Sequence, residues 1–334
     1  MAKTLITGAT GFLGTHLMHH LIAEEDAQLR VLTTGSLPVC LGAAIEVIEG
    51  SITARETVER AVEGVESIYH LAGKVSRQPD DRHEMYAIHV EGTRLLCEAA
   101  RRAGVRRIVL ASTSGTIAIT KTGQEIPDET WPPPLEICSR WPYYTSKIYQ
   151  EETARRACGN DVELVILNPS LLLGPGDARL SSTQDILKFI GRDIPIIPPG
   201  GINFVDVRDV ATAFVMAMQH GRSGERYLLG GPNWTFEKFF GRLERLTKVA
   251  APKLRVPNKI SRWGAQLADA MYRHWGKVPP VDLISVEMAE YFWYVDSTKA
   301  KEELNFVSRD PGETLYDTVT YLKANFLTEG AFSR

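Results

Sequence analysis

Tyr143 and Lys147 stand four residues apart in the stretch Tyr143-Tyr144-Thr145-Ser146-Lys147. On a helix that spacing puts both side chains on one face, a turn apart. A free tyrosine ionises near pH ~10, so at neutral pH it is a reluctant acid. A neighbouring positive charge, such as an ammonium, favours the phenolate and brings that value down. A tyrosine so placed can exchange a proton with a carbonyl or alcohol oxygen, and the lysine can also reach hydroxyls of a bound ligand. Taken alone, a Tyr-x-x-x-Lys pair is more often a surface pair, so its surroundings decide.

Those surroundings start at residue 3. Lys3-Thr4-Leu5-Ile6-Thr7 reads as a strand, Gly8-Ala9-Thr10-Gly11-Phe12-Leu13-Gly14 as a loop, and Thr15 to Ile22 as a helix with apolar residues at helical spacing. Strand, glycine loop and helix in that order are what give such a motif meaning. Gly8 permits a tight turn, Gly11 a close approach to a pyrophosphate, and Gly14 close packing of helix on strand. Loop N–H groups and the helix N-terminus then face the phosphates. Further strands are expected over 28–33, 44–48, 67–71, 107–111 and 163–167, with helices over 53–63, 83–103 and 141–158. This alternation predicts an α/β protein built on a doubly wound, Rossmann-type parallel sheet. Ligands of such sheets sit at the strands' carboxyl ends, where Gly8, Thr33, Ala72, Thr113 and Asn168 fall. After Pro169 prolines and glycines break the chain into loops, and short helices dominate from Pro232 onward. The expected division is a dinucleotide-binding domain over 1–170, to which 203–230 returns, and a smaller, mostly helical substrate lobe within 171–334.

Bulk composition narrows the classes. The 334 residues are 44% hydrophobic and 24% charged, ordinary for a globular protein. A formal net charge of -3 gives no electrostatic case for nucleic acid or an anionic membrane. Cys40, Cys97, Cys138 and Cys158 form no C-x-x-C pair, which points to thiols in a reducing compartment and no metal site. A strand within a few residues of Met1 leaves no room for a signal peptide, and no apolar run is long enough to span a bilayer. The expected location is the cytoplasm.

In combination these pieces resemble an extended short-chain dehydrogenase/reductase, of the NAD-dependent epimerase/dehydratase superfamily. The matching segments are Thr7 to Gly14, His70-Leu71-Ala72-Gly73, Ala111-Ser112-Thr113-Ser114, Tyr143 with Lys147, Asn168-Pro169 before Gly174-Pro175-Gly176, Phe204 to Ala211, and Asp296 to Ala300. Ser114-Gly115-Thr116-Ile117, Asp128-Glu129-Thr130-Trp131 and Tyr144 to Lys147 are similar to the dihydroflavonol-4-reductase-like branch. The resemblance implies catalysis by Thr113, Tyr143 and Lys147, with Ser112 and Ser114 one register step away. It implies a cofactor held by Gly8, Thr10, Gly11, Phe12, Leu13, Gly14, Thr33, Thr34, Ser51, Ile52, Leu71, Ala72, Gly73, Tyr143, Lys147, Asn168, Pro169 and Ser170. It also implies a homodimer through the helices that start near His83 and Trp141. His70 is expected to pack at the end of its strand.

Several positions depart from the family pattern. Gly115 stands where sugar dehydratases carry an acid, which disfavours water elimination. Gly50-Ser51-Ile52 replaces a common Gly-Asp-Leu, and His89 a common Asn. The second strand ends in Thr33-Thr34-Gly35-Ser36 with no carboxylate to bind the ribose of NAD. The expected cofactor is therefore NADP, with Thr33, Thr34, Ser36 and either Arg30 or Arg55 near the 2′-phosphate; NAD stays open. Lys74 to Asp81, Trp131 to Pro134 and Leu171 to Leu173 are expected to edge the substrate pocket. Trp263, Met271, Tyr272 and Trp275 are either core or cleft. A carbonyl on a hydrophobic small molecule is the expected substrate. Arg179, Arg208 and Arg273 keep a nucleotide-sugar epimerase in play, and a non-catalytic dinucleotide sensor is the third alternative.

Overall fold

Seven parallel strands form the main sheet, in the spatial order β3 (Glu46–Glu49), β2 (Gln28–Thr33), β1 (Lys3–Thr7), β4 (Ser67–His70), β5 (Arg107–Ala111), β6 (Glu163–Pro169) and β9 (Arg226–Leu229). The computed structural model describes residues 3–23, 28–35, 45–253 and 283–327. Both faces of the sheet are covered, so its strands read as near-continuous apolar runs. Strand residues alternate between two cores. Ile6, Val31, Tyr69, Val109 and Val165 pack under α1 (Phe12–Ile22) and α8 (Val207–His220). Leu5, Leu32, Ile68, Ile108, Leu164 and Ile166 pack under α2 (Arg55–Val62), α4 (Thr93–Ala103) and α6 (Pro142–Cys158). Cys97, Cys138 and Cys158 are buried free thiols.

Strand order reverses between β1, which pairs with β2, and β4, which continues towards β5. That switch point opens a crevice above the carboxyl ends of β1 and β4. The glycine loop follows β1, and Leu71-Ala72-Gly73 follows β4. The short α5 (Leu135–Cys138) precedes α6, which carries Tyr143 and Lys147. α6 starts at Pro142, with Trp141 as its N-cap, and Gly159 at φ 56° ends it. Pro suits a first helical turn, because its missing N–H has no partner there anyway.

Several expectations needed correction. The edge strand lies at Glu46–Glu49, not 44–48, because its half-exposed residues carry little apolar pattern. The helix expected over 83–103 runs from Arg82 as α3 (Arg82–Tyr86) and α4, with a π-helical turn over Ala87–Gly92 between them. The region after 170, expected to be mostly helical, carries short strands beside its helices. β7 (Leu171–Leu173), β8 (Gly201–Asp206) and β10 (Asn233–Thr235) make a second sheet in the order β10-β8-β7. Against it pack α7 (Gln184–Ile190) and α9 (Phe236–Thr247), through Phe189, Phe204, Trp234, Phe239 and Phe240. Short helices at Leu283–Met288 and Thr298–Leu304, and a longer one at Pro311–Phe326, complete this part. The helix expected over 258–275, with Trp263, Met271, Arg273, Tyr272 and Trp275, lies outside the described residues, as do Ser36 and Cys40.

Candidate active site

The glycine loop is built for close approach. Gly8 has φ +77°, and a Cβ there would lie 2.6 Å from the Leu71 carbonyl carbon. A Cβ on Gly14 would lie 2.1 Å from the Gly8 oxygen, so only glycine lets α1 rest on the loop. The Gly11 N–H closes the turn onto the Gly8 oxygen at 3.0 Å. α1 starts at Phe12 with no side-chain cap and no acidic residue in its first turn. An uncapped positive helix end beside Thr10 and Leu13 is a seat for an anion.

Across the crevice, β6 ends in Asn168 and Pro169, followed by Ser170. Asn168 Oδ1 and Ser170 Oγ are buried without a hydrogen-bond partner among the described residues. Buried polar atoms are seldom left so, and these two would be satisfied by a ligand carrying amide or hydroxyl groups. The Asn168 amide donates to Glu151 at 2.7 Å and to Thr116 at 3.0 Å. Glu151 also accepts from the Ser112 hydroxyl. The Ser112 hydroxyl is thereby taken up by Glu151 although the residue lines the same cavity, whereas Thr113 is the neighbour whose hydroxyl acts on the Tyr143 phenol. Of the three adjacent hydroxyls, the structure brings Thr113 to the phenol.

Lys147 is buried and donates to the Ala111 carbonyl and to Gln150 Oε1, each at 2.8 Å. Burial pushes its ammonium down to about 8. Burial also pushes the Tyr143 phenol up to about 12, and what opposes the rise is the hydrogen bond from Thr113. The expectation that Lys147 lowers this phenol is not met, because the ammonium is turned towards β5 and Gln150. At neutral pH the phenol is therefore protonated, the state a proton donor needs.

Other expected contacts are placed differently. Arg30 is buried and donates to the carbonyls of Arg60, Ala61 and Glu63 at the end of α2, so it cannot serve a 2′-phosphate. The Thr33 hydroxyl is turned onto Gly35, while Thr34 is exposed. Ser51 pairs with Thr53 at 2.7 Å, and Ile52 packs against Gly92. Arg208 is bound by Asp206 and Asp317, and Arg179 is exposed; neither converges on the cavity. Trp131 packs against Ile117, Ala118, Leu228 and Val295 rather than edging the pocket.

Thr113 and Tyr143 are among the residues that line a cavity of about 720 Å³. Its walls are largely apolar: Trp141, Tyr144, Leu171, Ile186, Phe239 and Trp293 are among them. Val75 to Arg77 of the loop after β4 edge it, as expected. Arg77 forms a two-pronged ion pair with Asp185, at 2.7 and 3.1 Å, and also donates to Ser285. A Cβ on Gly115 would lie 2.2 Å from the Tyr144 ring, so an acidic side chain at that position would displace this wall. Sequence reasoning missed the α9 aromatics, Trp141 and Trp293 as cavity walls. Aromatics at helical spacing look the same whether they face a core or a cleft.

Two buried histidines flank the site. His70 sits between Thr7 and Thr93, 2.8 Å from each hydroxyl, and Gln150 donates to Thr93 at 2.9 Å. Burial, with the Lys147 charge nearby, brings His70 from 6.5 down to about 3. His89 is held well below its usual value by the same two causes and by His70. The unfolded chain protonates both near pH 6.5, while the folded chain leaves them neutral. Stability is therefore full above that pH and falls as pH drops below it. The slope is about 1.4 kcal/mol per pH unit for each histidine. Urea midpoints measured from about pH 7.5 to 5 should decline throughout the lower half of that range. A flat profile there would mean that the imidazoles are not buried.

Residues 4–230 match the profile of the NAD dependent epimerase/dehydratase family. The chain belongs to that family. Its relatives include Sterol demethylase protein B of Methylococcus capsulatus, 32% identical over 325 residues that cover 96% of this chain and 98% of the relative. A Synechocystis sp. protein bearing a dihydroflavonol 4-reductase name is 31% identical, over 95% of this chain and 94% of its own. The fold is shared with a nucleoside-diphosphate-sugar epimerase from Pseudomonas aeruginosa, at a TM-score of 0.78 and 22% identity over 98% and 99% of the two chains. As a member of this epimerase/dehydratase family, the protein is an NAD(P)-dependent oxidoreductase with a Rossmann-type fold. No helix among the described residues is long and apolar enough to cross a membrane.

Proposed function

We propose that the protein reduces a ketone or aldehyde on a hydrophobic small molecule, with Tyr143 as the proton donor. The observation that carries this is the hydroxyl pair of Thr113 and Tyr143 inside a largely apolar cavity of about 720 Å³. That volume suits a drug-sized ligand. Two hydroxyls converging there can both donate to one carbonyl oxygen, Tyr143 passing its proton and Thr113 holding the oxygen in line. The bound nicotinamide cofactor would supply the hydride. Gly8, Thr10, Gly11, Phe12, Leu13 and Gly14 would hold its pyrophosphate. Leu71, Ala72 and Gly73 would line the crevice, and Asn168, Pro169 and Ser170 the nicotinamide side. Lys147, cationic at neutral pH, would bind the ribose of the cofactor beside the phenol.

The proposed substrate lobe is the part within 171–334 that leaves the main sheet. The names of two relatives, one for a sterol and one for a dihydroflavonol, support an apolar ring-bearing substrate. A nucleotide sugar would call for converging cations. Among the described cavity residues Arg77 is bound by Asp185, and Lys188 is the other cation. An epimerase keeps its NAD through each turnover; this protein is expected to release its cofactor on desalting. NADP is preferred, on the lack of a carboxylate after β2, with the exposed Thr34 free to meet the 2′-phosphate. Oxidation of NADPH and of NADH against a panel of apolar ketones and aldehydes tests both parts. Turnover with NADPH supports the proposal. Failure across the panel, with cofactor retained on desalting, would favour the epimerase.

A homodimer through α3, α4 and α6 belongs to the same proposal. Tyr149, 44% exposed, stands beside Tyr86 there, with ring centroids 6.1 Å apart. Light scattering should give twice the chain mass of 37.1 kDa. A single chain mass at micromolar concentration would contradict it.

A further inference from the structure

The π-helical turn over Ala87–Gly92 puts His89 in the interior, at 0% exposure. π-turns inside α-helices often mark functional sites. The hydrogen bonds of this imidazole fix its tautomer. Nε2 accepts the Lys74 backbone N–H at 3.0 Å, so Nδ1 carries the hydrogen and donates to Ser146 Oγ at 2.8 Å. Ser146 Oγ in turn donates to the carbonyl of Tyr143, at 2.8 Å. The imidazole also stands edge-on to the Tyr143 ring, with centroids 5.9 Å apart. A Cβ on Gly73 would come 3.1 Å from Nε2, so backbone closes over the ring on that side.

One end of this chain of bonds is the root of the loop that edges the cavity with Val75, Ser76 and Arg77. The other end is the first turn of α6, which aims the phenol. We infer that His89 is a positioning residue that ties the cavity loop to the Tyr143–Lys147 turn, so that seating of the loop and setting of the phenol are one event. The part of this that concerns the phenol rests on the proposed reductase function. A neutral ring is required, since an imidazolium has no lone pair for the Lys74 N–H. The charged and titratable groups facing it, Lys147 and His70, both disfavour protonation. An asparagine here, the common residue in the family pattern, is shorter than imidazole. Glutamine carries an acceptor and a donor on a longer stem and is the conservative replacement.

Hydrogen exchange in the full chain tests the coupling without any substrate. In His89→Leu the amides of 74–81 should exchange about tenfold faster, and in His89→Gln close to the wild-type rate. The decisive variant is Ser146→Ala, which leaves the Lys74 bond in place. Through the freed imidazole it should still raise exchange of 74–81 about threefold. Wild-type rates for that segment in Ser146→Ala, or equal rates in the Gln and Leu variants, would overturn the inference. If His89→Leu does not fold, Ser146→Ala and His89→Gln decide alone. Tyr143→Phe should leave 74–81 unchanged, so a failure of the reductase proposal shows separately, as turnover that survives the loss of the phenol.

Discussion

Tyr143→Phe is expected to lower turnover of a carbonyl substrate by about 10³-fold and to leave cofactor affinity as it was. The ring itself is kept. Its edge contacts with Tyr144 and His89, at 5.1 and 5.9 Å between centroids, do not need the hydroxyl. Neither does the hydrogen bond from Ser146 to the residue 143 carbonyl. What is lost is the hydroxyl on which Thr113 acts, and with it the one proton held at the carbonyl position. Thr113 remains as a single donor whose own proton is far too weakly acidic to transfer. Steady-state rates alongside a titration of NADPH fluorescence separate the two effects. Equal rates for variant and wild type would mean that the proton comes from elsewhere. A matching loss of cofactor binding would mean that the phenol is structural.

Gly14→Ala carries the second large effect, on stability. Alanine in a helix interior is worth roughly 1 kcal/mol over glycine, so propensity alone would make the change favourable. The contact decides otherwise. The added methyl would lie 2.1 Å from the Gly8 oxygen and 2.8 Å from the Ala9 Cα, and both are backbone atoms that cannot swing aside. α1 must lift off the loop, and Leu17, Met18 and Leu21 beneath it lose their packing against Ile6 and Val31. Overpacking of this kind costs about 3 kcal/mol or more. The same shift opens the anion seat and weakens cofactor binding. Gly241→Ala in α9, where a Cβ meets nothing within 4 Å, is the control and should hold or gain stability. Urea denaturation of both variants gives the comparison. A change in Gly14→Ala below about 0.5 kcal/mol would contradict the close packing of helix on loop.

The main sheet was legible because each of its central strands is buried on both faces and flanked by a helix. The pattern of β1, β2, β4, β5 and β6 survives in sequence as apolar runs at regular spacing. The second sheet was not legible. β7 and β10 have three residues each, too few to show a period of two, and β8 begins directly after a Pro-Gly cluster. The Tyr143–Lys147 spacing and the glycine loop are local, so residue type and interval expose them. Arg77 with Asp185, Ser112 with Glu151 and His89 with Ser146 are joined only by the fold. Protonation was misread for the same reason. Spacing puts an ammonium one turn from the phenol, but burial and the carbonyl of Ala111 decide where that ammonium points.

The most direct test of a reductase in which Tyr143 delivers the proton is a labelled turnover. NADPH deuterated at the transferable C4 position would be given with an apolar ketone that the enzyme accepts, in ordinary water, and the product alcohol analysed by mass spectrometry and NMR. One deuterium on the new carbinol carbon per NADPH consumed, abolished in Tyr143→Phe, is the expected result. Label that stays with the cofactor while substrate stereochemistry inverts, or a product alcohol formed equally well by Tyr143→Phe, would contradict it.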